Sequence, residues 1–326
     1  MKLMTHIGLL LLISSLTATA ANSDQLMKRA NRYFQVLPNT MPGSENDTAE
    51  KISLGKQLFF DTRLSVNNSQ SCASCHRLND GLAGVDNLGT SPGALGKLGT
   101  RNSPTVLNAG LQRLQFWDGR APDLVEQAKG PILNPIEMAM PDEHSVEQKI
   151  SNIKEYTAAF RKAFPDRQPA LSYQTIAEAI AAFERTLITP SRFDDFLRGD
   201  STALNEDERK GLAAFIRHRC VSCHDGVLIG GDSLEKLGQE NPYENQTDQG
   251  LYQVSQQEED RMVFKVSSLR NVALTAPYFH DGRVNSLEEA ISLMARLQLG
   301  KTLRQKDIRY ISHFLHALTD KNREKQ

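Results

Sequence analysis

The sequence predicts a mainly α-helical protein built from two tandem, related halves with long loops, and three observations predict it. Apolar residues recur at helical spacing in most patterned stretches, while strand signals are few. The pentapeptide Cys72-Ala73-Ser74-Cys75-His76 returns as Cys220-Val221-Ser222-Cys223-His224. Downstream of each copy comes an aromatic-x-Asp-Gly-Arg turn, Phe116-Trp117-Asp118-Gly119-Arg120 and Phe279-His280-Asp281-Gly282-Arg283, opening a helical pattern. The 326 residues are enough for two domains with cores of their own.

Residues 1–20 read as an export leader. Lys2 is the basic start, Ile7 to Leu16 the apolar stretch, and Ala18-Thr19-Ala20 a small-residue cleavage site. The apolar run is too short to span a bilayer and no later run is longer, so no membrane span is expected. The first half is then 21–189. An amphipathic helix is expected over Asp24–Leu37, with Leu26, Ala30, Tyr33, Phe34 and Leu37 on one stripe after the possible cap Ser23. Thr48–Phe60 is a second helix, leading into the first pentapeptide. Residues 80–100, with six glycines from Gly81 to Gly99, read as a functional loop. Helices follow at Pro122–Lys129, Asp142–Ile150, Lys154–Phe164 and Ser172–Ile188, and Thr189-Pro190-Ser191 breaks the pattern.

The second half is 190–326. Asn205 caps a helix through Arg219 that delivers the second pentapeptide, and 225–260 is a polar loop. Ser286 with Glu289 makes a capping box for a helix to about Leu299. Ile308, Ile311, Leu315 and Leu318 mark the last helix, and Val263–Val266 is the best strand signal. The repeat also pairs Arg101-Asn102 with Arg270-Asn271, and Leu124, Glu126 and Ala128 with Leu287, Glu289 and Ala290. A tandem duplication explains these matches.

C-x-x-C-H is the attachment signature of c-type haem: two thiols bond the porphyrin vinyl groups and the histidine ligates iron. The two copies use all four cysteines. The competing readings are a zinc held by four thiolates or two redox-active thiol pairs. Zinc knuckles usually lie about 15–20 residues apart, and these lie far further. Bacterial c-type haem is attached outside the cytoplasm, so leader and motif both point to the periplasm. The formal net charge is −1, without the basic footprint that nucleic acid requires.

Two-haem redox enzymes divide labour between an iron that exchanges substrate and one that stores an electron. The storing iron wants a raised potential, which a thioether ligand supplies; Met262 and Met294 are the candidates in the second half. The exchanging iron wants polar groups above an open position. Gln127 and Glu137 lie downstream of Trp117, the only tryptophan, and Glu137 sits in an apolar stretch stiffened by Pro131 and Pro135. A carboxylate there can move a proton between peroxide oxygens. Trp117 lies on the duplicated turn opposite His280, which suits a bridging place between haems.

These residues resemble the bacterial di-haem cytochrome c peroxidase family. The matching stretches are Leu58-Phe59-Phe60-Asp61-x-Arg63-Leu64, Arg101 to Asn108, Phe116 to Arg120, Pro131 to Met140, Ala179 to Thr186 and Val266 to Arg283. The resemblance implies two cytochrome-c-like domains, two covalent haems with a calcium ion between them, and reduction of hydrogen peroxide. It also implies a small cytochrome c or cupredoxin as donor, and a homodimer. Carried over, His76 ligates the peroxide-binding haem, Gln127 and Glu137 line its distal side, and Trp117 lies between the haems. His224 and Met294 ligate the electron-storing haem; Met294 is favoured over Met262 by the family pattern continued in Gln298, Leu299 and Gly300. Asn102 and the carbonyls of Thr275 and Pro277 bind calcium. One departure stands out. The distal histidine that blocks the resting iron in most of the family falls at Ala94, and no histidine occurs between His76 and His144. The alternatives are a relative that oxidises a protein side chain, with tyrosine in place of methionine on the second haem, and a non-catalytic electron carrier.

Overall fold

The computed structural model describes residues 23–324, so the expected leader lies outside the described residues. A first helix, α1, covers 23–30. It stops short of Leu37 because tertiary bonds capture the next residues. Phe34 forms a backbone bridge with Gly226, and Leu37 N–H donates to the buried carboxylate of Asp194 at 2.8 Å. Ser23 lies inside the helical run, and its hydroxyl donates to the Ser201 carbonyl at 3.2 Å. The apolar stripe still does its work, with Ala30 and Phe34 buried against Phe193 and Phe215. Residues 23–37 therefore pack on the second core, although sequence order puts this segment in the first half.

The first core is built by α2 (Ala49–Phe60), α3 (Cys72–Cys75), α4 (Leu124–Leu133), α5 (Glu143–Ser151), α6 (Lys154–Ala163) and α7 (Tyr173–Glu184). Thr48, Asp123, Asp142 and Ser172 cap α2, α4, α5 and α7 by accepting backbone N–H bonds, each worth about 1 kcal/mol. Helix α4 runs through Pro131, past the expected end at Lys129. The proline removes one helical hydrogen bond near the C-terminus, while Ile132 beyond it is 1% exposed. Helix α7 ends at Glu184, before the expected Ile188, because Asn108 draws the chain away: its N–H donates to the Leu187 carbonyl and its Oδ1 accepts from Thr189 N–H, both at 2.9 Å.

The second core joins α1 to α8 (Arg192–Leu197), α9 (Glu206–Arg217), α11 (Leu287–Leu299) and α12 (Gln305–His316). Asn205 and Glu208 form a reciprocal box on α9, whereas on α11 Ser286 alone caps, accepting from Glu289 N–H. The short helix α10 (Tyr252–Ser255) lies in the polar loop. That loop also supplies β1 (Leu234–Lys236), which pairs antiparallel with β2 (Val263–Lys265) in the register Leu234 to Lys265.

The duplication is visible in how helices cross. Gly55 on α2 lies where a Cβ would overlap the Ala179 carbonyl of α7, and Gly211 on α9 lies likewise against the Tyr310 carbonyl of α12. The repeated turns also share backbone geometry. Phe116 and Phe279 have φ of 66° and 67°, and Asn108 and Asn271, at equal spacing before them, have φ of 60° and 62°. Both asparagines open a 3-10 turn, and both donate side-chain amides to Thr189 Oγ1. The counterpart of Asn271 is therefore Asn108, correcting the pairing of Arg101-Asn102 with Arg270-Asn271. In this register Asn102 corresponds to Lys265. Among the described residues no helix is long and apolar enough to cross a membrane.

Candidate active site

Each pentapeptide is held by local backbone bonds. On the first, Ser71 and Ser74 cap the short helix α3 reciprocally, and His76 N–H bonds back to the Cys72 carbonyl at 2.9 Å. The His76 ring sets Nδ1 3.4 Å from the Gly84 carbonyl. On the second, Arg219 takes a left-handed conformation, φ 72°, after α9. His224 N–H bonds to the Cys220 carbonyl at 3.0 Å, with ring Nδ1 3.2 Å from the Ile229 carbonyl. Burial holds both imidazoles below their ordinary pKa, so they are neutral. A neutral ring with Nδ1–H on a carbonyl presents its Nε2 lone pair to a metal. Gly230 is required here: at φ 118°, a Cβ would sit 3.0 Å from His224 Nδ1.

Each motif faces its own cavity. Cys72, Cys75 and His76 line one of about 320 Å³; Cys220, Cys223 and His224 line another of about 250 Å³. Burial pushes Cys75 and Cys220 up to about 11 and raises Cys72 and Cys223. Two thiols and one imidazole on a largely apolar cavity fit a covalently held haem at each site.

Gln127, Glu137 and Trp117 all line the first cavity. Gln127 stands on α4, and Glu137 follows in the turn that Asn134 organises. Asn134 donates its amide to Glu137 Oε1 at 2.8 Å. Burial raises the Glu137 pKa, opposed by the Arg120 charge and the Asn134 bond. Arg120 lies 3.5 Å over the Phe116 ring and pairs with Asp118 at 2.8 Å. Asp118 also pairs with Arg101 at 2.6 Å, and Arg101 reaches across to Asp248 at 2.5 Å.

Met294 lines the second cavity, on α11. Met262 lines neither cavity; it is buried among Leu237, Tyr243 and Phe264. Trp117 lines both, with its indole N–H donating to the Asn102 carbonyl at 2.8 Å and its ring edge-on to His280 at 6.4 Å. Asn102, Thr275 and Pro277 line the second cavity together. The Asn102 amide nitrogen is used on the Leu88 and Gly89 carbonyls. Its Oδ1 and the carbonyls of Thr275 and Pro277 have no hydrogen-bond donor among the described residues, which fits a hard cation.

Sequence reasoning missed three groups on these cavities. Arg120 was visible in the duplicated turn, but not that its charge is felt at Glu137. Glu184 is 4% exposed, lines the first cavity, and is pushed up to about 8 by burial. Lys265 lines both cavities and is 7% exposed. Glu184 lies in the matching stretch Ala179 to Thr186 and Lys265 in the strand signal Val263–Val266, but neither pattern says that the side chain faces a cavity.

Paired cavities, each with a C-x-x-C-H motif and only one with a buried glutamate, define a two-haem redox protein with unequal sites. Comparison with known proteins agrees. Residues 49–202 match the family model of di-haem cytochrome c peroxidase. The chain is 43% identical over 321 residues to cytochrome c551 peroxidase of Pseudomonas aeruginosa, covering 95% of this chain and 91% of that protein. It is 44% identical over 293 residues to cytochrome c551 peroxidase of Nitrosomonas europaea, covering 89% and 85%. Among solved structures it is similar to a MauG-like protein associated with microbial copper homeostasis, with TM-score 0.76, 27% identity, and coverage of 89% of this chain and 95% of that one. The chain belongs to the di-haem cytochrome c peroxidase family, and it is an oxidoreductase.

Proposed function

We propose that this protein reduces hydrogen peroxide to water in the periplasm, taking electrons from a small c-type cytochrome or a cupredoxin. The observation that carries the reading is that Gln127 and Glu137 line the same cavity as the first C-x-x-C-H motif, while Met294 lines the cavity of the second. Cys72, Cys75 and His76 would hold the peroxidatic haem; Cys220, Cys223, His224 and Met294 would hold the electron-storing haem. When bound, the two haems supply an open iron position for peroxide and the stored electron. The two haem-bearing units would divide near Thr189, with residues 23–37 belonging to the second.

The chain's own residues handle the protons. Ionised Glu137 takes a proton from one peroxide oxygen and returns it to the other, so that water is the leaving group rather than hydroxide. Asn134 holds the carboxylate in place, and the Gln127 amide orients peroxide beside it. Burial raises the basicity of Glu137, which strengthens it as a proton acceptor. Trp117, in the wall common to both cavities, would lie between the haems. Asn102, Thr275 and Pro277 would hold calcium there, with water completing the shell.

Met294 also favours peroxide over a protein substrate. Tyr278 lines the same cavity, but the ligand position of the family pattern continued in Gln298, Leu299 and Gly300 is held by Met294. At Ala94 a methyl group replaces the family's blocking histidine, so the first iron would be open before any reduction. The export leader and covalent haem support the periplasmic address, and the resemblance supports a homodimer. The test is the mass of the mature protein together with peroxide-dependent oxidation of a reduced cytochrome c. Two attached porphyrins and turnover are expected; two porphyrins without turnover would leave an electron carrier.

A further inference from the structure

The two cavities share a wall: Asn102 to Thr105, Gln112, Trp117 and Lys265 line both. Lys265 is the one side chain in that wall that carries a full charge. It ends β2, where its N–H donates to the Trp117 carbonyl at 2.7 Å, and its Nζ donates to Gln112 Oε1. Burying an ammonium without an anion is costly, and among the described residues Gln112, a neutral amide, is its only side-chain partner. Burial alone acts on its pKa, pushing it down to about 8, with no carboxylate of the chain acting to raise it. The register of the repeat sharpens the contrast, since the equivalent position in the first half is Asn102, which is neutral.

A c-type haem brings its own anions, two propionate carboxylates. We propose that Lys265, steered by Gln112, pairs with haem propionate at the wall between the cavities, and that its charge holds up the reduction potential of the haem it faces. The inference rests on the two-haem reading. Lys265 is a positioning residue: it touches neither peroxide nor iron. A cation near the porphyrin favours the reduced state, because reduction removes positive charge from the iron; removing the cation lowers the potential.

The experiment compares Lys265→Met, Lys265→Arg and Gln112→Glu in the haem-loaded protein. Intact mass counts the porphyrins, and spectroelectrochemical titration reads each haem. With both haems attached, K265M is expected to shift the reduction equilibrium of at least one haem about tenfold towards the oxidised form, about 59 mV for one electron. K265R should keep the wild-type potentials. Q112E should lower a potential with the lysine still in place, because its new carboxylate neutralises the ammonium. Unchanged potentials in K265M and Q112E, with two porphyrins attached, would overturn the proposal; if K265M does not fold, Q112E decides alone. Fewer than two porphyrins on the wild-type chain would instead overturn the two-haem reading.

Discussion

Asn134 donates its side-chain amide to Glu137 Oε1 at 2.8 Å. Asn134 also closes the turn, because its Oδ1 accepts from Ile136 N–H at 3.0 Å and its backbone carbonyl accepts from Glu137 N–H at 3.0 Å. One residue thus sets both the backbone and the carboxylate of the proposed proton carrier. Replacing Glu137 with Gln preserves shape and removes basicity. E137Q should keep both haems and lose about 10²-fold or more in peroxide turnover; near-normal turnover would remove Glu137 from the chemistry.

The same bond predicts a pH effect. Burial raises the Glu137 pKa while Asn134 and Arg120 lower it. Proton acceptance requires the carboxylate, so the acidic limb of kcat/KM should lie above the ordinary glutamate range. Asn134→Ala removes a donor that favours the ionised form, so the limb should move to higher pH. A limb that stays put, measured over pH 4 to 8 with both haems attached, would show that another group controls it.

At the second haem, Met294→His should keep the iron low-spin but lower its potential, because nitrogen stabilises ferrous iron less than thioether sulfur does. Optical redox titration reads both properties. An unchanged spectrum and potential would show that sulfur from elsewhere, or no sulfur at all, ligates this iron.

The glycine-rich loop makes the departure at Ala94 testable. Ala94 N–H donates to the Glu137 carbonyl at 2.7 Å, and Asn67 donates to the Ala94 carbonyl at 2.6 Å. A Cβ at the neighbouring Gly93 would overlap the Ile136 carbonyl. The loop is therefore laid against the glutamate turn with a methyl group, not an imidazole, at this position. The oxidised protein should show a substantial high-spin ferric EPR signal and react with peroxide without prior reduction. Low-spin signals alone, with a lag that pre-reduction abolishes, would mean that another side chain blocks the iron.

The second core has an ionic pin. Asp194, fully buried, accepts from Arg270 at 2.9 and 3.0 Å, from Ser191 and from Leu37 N–H. Burial alone would raise its pKa, but Arg270 and these bonds outweigh it and hold the carboxyl below 3.8. With the folded pKa depressed, the stabilisation is present above the unfolded value and is lost as pH falls through the folded one. Asp194→Ala should cost about 3–5 kcal/mol by stranding a buried guanidinium, read by denaturant unfolding at pH 7. The penalty relative to wild type should shrink under acid conditions.

Much was legible because it is local. Helix starts at Thr48, Asp142 and Ser172 and the cap at Asn205 are set by a few neighbouring residues, and the two C-x-x-C-H motifs carry their chemistry in five positions. The aromatic-x-Asp-Gly-Arg repeat was legible too, since its aromatic, aspartate, glycine and arginine recur in the same order in both halves. The repeat's alignment upstream was not: Arg101-Asn102 resembles Arg270-Asn271 in letters, but positive φ and the shared bonds to Thr189 pair Asn271 with Asn108. Helix ends failed for the same reason at 30 and at Glu184, where distant partners supplied better hydrogen bonds than the next helical turn.

The sequence by itself determined the thiols, the imidazoles, a candidate carboxylate and the helices that deliver them, because spacing along a chain dictates those. Only the tertiary structure decided which of two methionines lines a cavity, that α1 joins the second core, and that Arg120 bears on Glu137. It alone placed Lys265 in the wall between the cavities. Burial and electrostatic pairing depend on through-space distance, and residues far apart in the chain acquire them only when the two halves close on each other.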